Sequence, residues 1–356
     1  MLTEEQKQET MRVLRQHMRR YPAMEPTDAV KLLYQNEFAG GHLIADEAGC
    51  VERLRQECEE VPAEAREAEP LGNGVVRLHL SGVNYQRMAL NSVARCFIAT
   101  AKLHRGDRNT FYEKLVLLER LAAAGETPFD ETSLENYLQE YRASGCPPVS
   151  HSPAFREQYQ PSYRVIGEGY LRLLPLVQAV DTLRAEQKTV VLALDGRCAA
   201  GKTTAAALLS ALWDAPVVHM DDFFLPPALR TPERFAQPGG NVHYERFLKE
   251  VIPGLKAHTS FEYQTFDCSS LRYSGRVSIA PSSVTIVEGA YSLHPSFGKY
   301  ADITVFFDVE PEEQMRRIEK RNGGEMAKMF RERWIPLEEQ YLAEFGLTQK
   351  VDYRIA

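Results

Sequence analysis

Residues 196–203 read Gly-Arg-Cys-Ala-Ala-Gly-Lys-Thr, two glycines with four residues between them, followed at once by a lysine and a hydroxyl residue. They come directly after Val190-Val191-Leu192-Ala193-Leu194, an apolar run of strand length, and before an Ala- and Leu-rich stretch, 204–212, that reads as a helix. Such a loop presents successive backbone N–H groups, and the helix behind it adds its positive N-terminal end, so the ligand that suits it is a polyphosphate. In that arrangement Gly196, Arg197, Cys198, Ala199, Ala200, Gly201, Lys202, Thr203 and Thr204 wrap the phosphates. Lys202 reaches the outer two phosphates and the Thr203 hydroxyl ligates a magnesium ion. ATP and Mg²⁺ are therefore the expected cofactors, with an ordinary glycine turn as the alternative.

At 356 residues the chain exceeds one compact core, and two domains are expected. Helical periodicity fills the first half, with helices expected over 4–20, 28–37, 46–60, 85–103, 108–124, 133–142 and 163–185. One strand, 74–80, is expected behind the turn Pro70-Leu71-Gly72-Asn73. Past residue 188, short apolar strands at 189–194, 216–219, 283–288 and 303–307 alternate with helices, which implies a parallel sheet covered on both faces. The expected fold is a doubly wound, mostly parallel α/β phosphate-loop domain over 187–356, preceded by a mainly α-helical domain over 1–186. The helix 163–185 would connect them.

The 42 basic and 49 acidic residues leave a formal charge of −7, which argues against nucleic acid or a membrane surface as a partner. Six cysteines stand singly without a C-x-x-C pair, so neither a zinc ribbon nor a disulfide framework is expected. No stretch approaches 18 uninterrupted apolar residues, and the first residues lack the apolar region of a signal peptide. A soluble, cytoplasmic protein is expected; whether it forms a homo-oligomer stays open.

A phosphate-binding loop serves many reactions, so later segments must discriminate. His219-Met220-Asp221-Asp222-Phe223-Phe224 puts two carboxylates at the end of the second apolar strand, on the edge where doubly wound sheets bind ligands. Asp221 there can accept the proton of an attacking hydroxyl and hold a water of the metal shell. Asp222 either orients the site or caps the following turn. Val284-Thr285-Ile286-Val287-Glu288-Gly289-Ala290-Tyr291 ends a strand on a carboxylate, so Glu288 is a second candidate for the metal shell or simply a strand-end acid in water. Arg317 and Arg321 stand four apart on a helix followed by Asn322-Gly323-Gly324, the pattern of a closing lid or of a solvated basic face.

These four elements, in this order, resemble the uridine kinase and phosphoribulokinase family, which also includes the nicotinamide riboside kinases, over about residues 188–345. The resemblance rests on Gly196 to Thr204, on Asp221-Asp222-Phe223-Phe224, on Glu288-Gly289 and on Arg317 and Arg321. It implies that Asp221 is the general base, that Glu288 and Thr203 attend Mg²⁺, and that a small-molecule hydroxyl takes the γ-phosphate of ATP. Phe224, Asp222, Tyr291 and His243 would face the acceptor. Two departures stand out. His243 in Asn241-Val242-His243-Tyr244-Glu245 replaces the aspartate with which the family holds ribose, and Phe266-Asp267-Cys268-Ser269-Ser270-Leu271 lacks the groups that read a pyrimidine. The expected acceptor class is a nucleoside or another ribosyl or sugar-like alcohol. The alternative is a nucleotide-dependent switch whose helical domain engages a partner.

The helical half says less. The segment 34–42, with Asn36, Glu37, Gly40, Gly41 and His42, suits a ligand loop or a helix end over a buried polar network. His151-Ser152 and the stretch from Tyr159 to Arg164 form a second polar and aromatic cluster. Glu37, His42 and His151 would make a metal site only if the fold brought them together. An acceptor-binding wall, a dimer surface, a regulatory ligand site or a separate fused enzyme are the roles left to this half.

Overall fold

Side-chain caps set where the helices of the first half begin. Thr3 accepts from the Gln6 N–H at 3.2 Å while the Gln6 side chain accepts from the Thr3 N–H at 2.9 Å, a reciprocal pair that opens α1 (Glu4–Arg20). Pro26 starts α2 (Pro26–Phe38), where the missing N–H costs nothing, and Asp46 caps α3 (Glu47–Glu59). The chain continues through β1 (Glu69–Gly72), β2 (Val75–His79), α4 (Leu80–Tyr85), α5 (Leu90–Leu103), α6 (Arg108–Ala123), α7 (Glu131–Ala143), α8 (Pro153–Tyr159), β3 (Tyr163–Gly167) and α9 (Glu168–Gln187). This computed structural model describes residues 1–44, 46–187 and 189–356; position 188, the edge of the family resemblance, lies outside them.

Three local expectations need correction. The helix expected over 85–103 begins only at Leu90, since Tyr85 is the last residue of α4: Arg87 takes φ +51, and its N–H bonds Asn84 O at 3.1 Å while Met88 N–H bonds Val83 O at 3.0 Å, a left-handed stop that ends α4. The helix expected from 163 begins only at Glu168, because Tyr163–Gly167 is a strand paired antiparallel with β2, Val75 opposite Gly167 and His79 opposite Tyr163. Its Tyr, Val and Ile suit a pleated, half-buried surface, and the partner strand outweighs local helical periodicity. The turn expected at 70–73 is shifted: Pro70 and Leu71 lie in β1, and the reversal comes at Gly72, Asn73 and Gly74, all with positive φ.

The chain forms two compact units, Met1–Leu174 and Pro175–Ala356. The division falls within α9 at Pro175, a residue with no N–H to give the helical ladder, whereas the division expected from sequence lay at the end of that helix. In the N-terminal unit Val13 and Leu14 of α1, Val30 and Leu33 of α2, Phe111, Leu115 and Leu118 of α6 and Leu134 and Leu138 of α7 share one core.

The C-terminal unit runs β4 (Val190–Gly196), α10 (Lys202–Trp213), β5 (Val217–His219), α11 (Pro232–Phe235), α12 (Tyr244–Glu250), α13 (Ile252–Ala257), β6 (Phe261–Asp267), β7 (Arg272–Ile279), β8 (Val284–Glu288), β9 (Ile303–Phe307), α14 (Pro311–Asn322), α15 (Gly324–Met329), α16 (Ile335–Phe345) and β10 (Tyr353–Ile355). Among the described residues five strands form one sheet in the order β10-β9-β4-β8-β5, every pairing parallel. Every residue of β4 and β8 is buried, as strands covered on both faces require. The sequence did not anticipate β10 or the antiparallel hairpin β6–β7. Register sets Leu194 and His219 on either side of Glu288, and Gly196 beside Phe307, so the carboxyl ends of β4, β5, β8 and β9 share one edge. Among the described residues no helix is long and apolar enough to cross a membrane.

Among the buried ion pairs of the N-terminal unit, Lys114 of α6 pairs with Glu37 and donates to Asn36, and both ionic side chains are 4% exposed. Lys114→Met leaves Glu37 buried without its counter-charge and is expected to cost about 3–5 kcal/mol. Urea unfolding followed by a probe in that unit measures the loss; an unchanged midpoint would show that the pair contributes nothing.

Candidate active site

The chain leaves β4 through Gly196 at φ +136, where a Cβ would lie 2.1 Å from Phe307 O and 2.6 Å from Phe307 N. Only glycine fits that exit. Gly201, at φ +99, ends the loop as the N-cap of α10, whose N-terminal N–H groups face back over it. The Lys202 ammonium is buried and donates to the carbonyls of Gly196 at 2.7 Å and Arg197 at 2.8 Å.

Residues that sequence reasoning did not single out brace this loop. Asp195 accepts from the Gly196 N–H at 2.7 Å; Glu338 of α16 accepts from the Cys198 N–H at 2.8 Å; Gln314 of α14 donates to Cys198 O at 3.0 Å. Arg197 gives Glu339 two bonds, 2.7 and 3.0 Å, and also pairs with Asp308 at the end of β9. Burial raises the carboxyl pKa of both Asp195 and Glu338. Only the position of Asp195, a carboxylate between an apolar strand and a loop glycine, could have drawn attention in the sequence.

The two expected metal-shell residues meet. Glu288, 5% exposed, accepts from the Thr203 hydroxyl at 3.2 Å and lies 2.6 Å from His219 Nδ1. That hydrogen bond raises the His219 pKa, so His219 is a further member of the site. Asp221 follows β5 in a single short turn, Met220–Phe223, with its side chain in contact with solvent. Burial by the surrounding walls and then the charge of Glu288 raise its carboxyl pKa. Thr203 and Glu288 offer hard oxygen donors, the kind Mg²⁺ takes singly or in pairs beside phosphate oxygens, so the residues present fit that ion. Among the described residues no cluster of three or more His, Cys, Asp or Glu could hold a metal alone.

Such a parallel sheet, flanked by helices and carrying this loop on its carboxyl edge, fits an α/β phosphate-loop kinase fold. No family model matches the chain, and no curated protein does. A solved structure described as a possible uridine kinase from Bacillus stearothermophilus is similar at 21% identity over 51% of this chain and 100% of its own, with a TM-score of 0.39. At that identity and score the likeness adds nothing to what the sheet order and the loop geometry show.

The remaining expected residues separate. Arg317 reaches the loop, donating to Ala199 O at 3.2 Å and to Glu313 at 2.7 Å. Arg321 is exposed and bonds Asn322 at 2.8 Å. Tyr291, expected to face the acceptor, is 1% exposed with its ring centroid 4.8 Å from that of Tyr341 and its N–H on Asp195 at 3.0 Å; it is core, because its backbone turns at φ +72 into the space under the loop. Phe224 is half-buried and bridges Val242, and His243 lies 3.1 Å from Glu245, which Arg234 holds at 2.8 and 3.0 Å. Asp222 accepts from the Phe266 N–H at 3.0 Å and thereby pins the β6–β7 hairpin beside Asp221. Arg246, also unforeseen, clamps the same place: it donates to Asp222 O at 3.0 Å and stacks 4.9 Å from the Phe223 ring and 4.8 Å from the Tyr273 ring. In the other unit Glu37, His42 and His151 do not converge, for Glu37 pairs with Lys114, His151 with Asp28 at 2.8 Å, and His42 packs edge-on to Tyr34.

Gly196→Ala must move the Phe307 backbone or strain the loop, at a cost of about 1–3 kcal/mol or more. Nucleotide affinity measured by calorimetry should fall at least about tenfold. Affinity equal to the parent would show that the exit from β4 has room to give.

Proposed function

We propose that the chain is an ATP-dependent small-molecule kinase that transfers the γ-phosphate to a hydroxyl of a nucleoside or another ribosyl or sugar-like alcohol. The observation that carries this reading is the convergence of Lys202, Thr203, Glu288 and Asp221 from three separate strand ends on one edge of the sheet. A hydrolytic switch needs the loop and the metal carboxylate; the second, solvent-facing carboxylate has a use when an alcohol must be deprotonated.

In this reading the acceptor oxygen attacks the γ-phosphorus, its proton passes to an Asp221 carboxylate oxygen, and the bond from that phosphorus to the β–γ bridging oxygen breaks to release ADP. When bound, Mg²⁺ offsets charge on the phosphate oxygens. Lys202 offers its ammonium to those oxygens once it leaves the carbonyls of Gly196 and Arg197. Arg317, already on the loop, adds positive charge as the transfer proceeds, and Asp222 and Arg246 hold the β6–β7 hairpin beside Asp221. Without the family's ribose-binding aspartate at His243, a uridine-like acceptor is not required, and other sugar-like alcohols are equally in range.

The test is Mg-ATP consumption by the purified protein across nucleosides, sugars and other small alcohols. Asp221→Asn is expected to lower acceptor-dependent turnover by about 10²- to 10⁴-fold while leaving ATP binding in place. Acceptor-independent hydrolysis that survives this substitution would instead support the nucleotide-dependent switch. Since only ionised Asp221 is a base and its pKa is raised, kcat/KM should fall as pH drops through a value above the usual carboxylate range of about 4. An acid limb at or below that range would show that another group takes the proton.

A further inference from the structure

The N-terminal unit holds a cavity of about 440 Å³ that no part of the proposed kinase reaction uses. That volume lies within the usual range for small-molecule sites, about 300–1,000 Å³. Its walls include Lys31 and Gln35 of α2, Arg156 of α8, and His151 and Tyr163.

Charge at the cavity is unbalanced. Lys31 donates to Val149 O at 2.8 Å, which leaves two of its three N–H groups over, and Arg156 is exposed. Among the described residues neither has an ion-pair partner. The carboxylates nearby are committed elsewhere: Glu57 takes two bonds from Arg164, 2.7 and 2.9 Å, and Asp28 is buried under His151 and Ser152, with bonds of 2.7 to 3.0 Å. The Lys31 pKa is lowered to about 8, by burial first and then by the charges of Arg77 and Arg156, while the charge of Asp28 opposes the shift only in part.

Behind the wall runs one chain of hydrogen bonds. Asp28 lies 2.8 Å from His151 Nδ1, His151 Nε2 lies 2.6 Å from the Tyr163 hydroxyl, and Gln35 Nε2 donates to that hydroxyl at 3.1 Å. Arg77, 1% exposed, gives Gln35 Oε1 two bonds, 3.0 and 2.8 Å, and ends on Glu69 at 3.4 Å. These contacts fix proton positions. Asp28 takes the Nδ1–H of His151, so Nε2 accepts the Tyr163 O–H, and the Tyr163 oxygen is left with acceptor capacity. Arg77 fills Gln35 Oε1, and Gln35 Nε2 gives one of its two N–H groups to Tyr163, which leaves one to spare. A donor and an acceptor side by side are what a ligand hydroxyl needs. A purely structural network of this size, with a charged pair inside it, is costly compared with apolar packing, and the benefit it brings is a rigid polar wall.

We propose that this cavity binds a small phosphomonoester, its dianionic phosphate held by Lys31 and Arg156 and its hydroxyls read by Gln35 and Tyr163. Two cations with no ion-pair partner among the described residues match the double charge, and the volume exceeds what inorganic phosphate alone would fill. The site is built from residues of the N-terminal unit alone and does not depend on the kinase reading.

Calorimetric titration of the full-length protein with ribose 5-phosphate tests it, with ribose and malate as probes that lack the phosphate. Saturable binding of ribose 5-phosphate is expected, retained in Lys202→Ala and weakened at least about tenfold in Arg156→Ala, an exposed position where the fold should tolerate the change. Tyr163→Phe, which keeps the ring, should weaken ribose 5-phosphate more than inorganic phosphate. Absence of saturable binding, binding that Lys202→Ala abolishes, binding indifferent to Arg156→Ala, or malate binding as tightly would each overturn the proposal.

Discussion

Asp195 is wholly buried, and among the described residues it accepts from the N–H groups of Gly196 at 2.7 Å, Tyr291 at 3.0 Å and Leu293 at 2.9 Å and from the Tyr341 hydroxyl at 2.7 Å. Taking a carboxylate out of water costs several kcal/mol. Hydrogen bonds to a charged group return about 1.5–3 kcal/mol each, so the two sides are comparable only while every donor stays in place. Burial accordingly outweighs the donors and raises the Asp195 pKa. The consequence is geometric: the start of the phosphate loop, the segment after β8 and the helix α16 are tied to one point, and none can shift alone. The positions of Lys202 and Glu288 inherit their precision from that knot.

The same helix shows what the loop attracts. Glu338 of α16, 7% exposed, accepts from the Cys198 N–H, and Glu339 next to it holds the Arg197 guanidinium. A carboxylate on a loop N–H is the behaviour expected of a backbone nest that favours anions. It also couples the loop to α16, since a phosphate oxygen seeking the Cys198 N–H must share it with Glu338 or displace it.

Legibility followed the range of the interactions involved. The helix over 4–20 and the loop at 196–203 could be read because a cap, a period and a glycine spacing are local properties. Tyr163–Gly167 was misread because five residues with no cap before them carry little period, and only β2 decides that they are strand. The three residues of β10 gain their identity from β9, and the break at Arg87 has no glycine to announce it. In the site, Asp221 and Glu288 could be proposed from strand-end position, and the structure sets Glu288 against Thr203. Tyr291 shows the opposite limit: it follows Glu288 by three residues, yet its positive φ turns it into the core. His219, Arg246, Glu338 and Asp195 act through partners 18 to 146 residues away, which no local pattern encodes.

The net charge of −7 is a poor guide to this site, because the local cations are already allotted. Arg197 answers two carboxylates, Glu339 and Asp308, and contributes to loop shape more than to ligand charge. Arg317 is shared between Glu313 and the Ala199 carbonyl and must exchange the first to act on a phosphate, a trade of one ion pair for another with little net cost at a half-exposed position. Lys202 alone of these three rests on carbonyl groups without an ion pair, and those neutral acceptors give it up more cheaply than a carboxylate would. In the proposed reading a triphosphate entering here finds one cation ready and a second that must change partner, while the N–H groups of Arg197, Cys198 and Ala200 are already held by Phe307 O, Glu338 and Arg197 O. In that reading the remaining negative charge would be offset by a magnesium ion held at the Thr203–Glu288 corner, since the carboxylate itself repels phosphate.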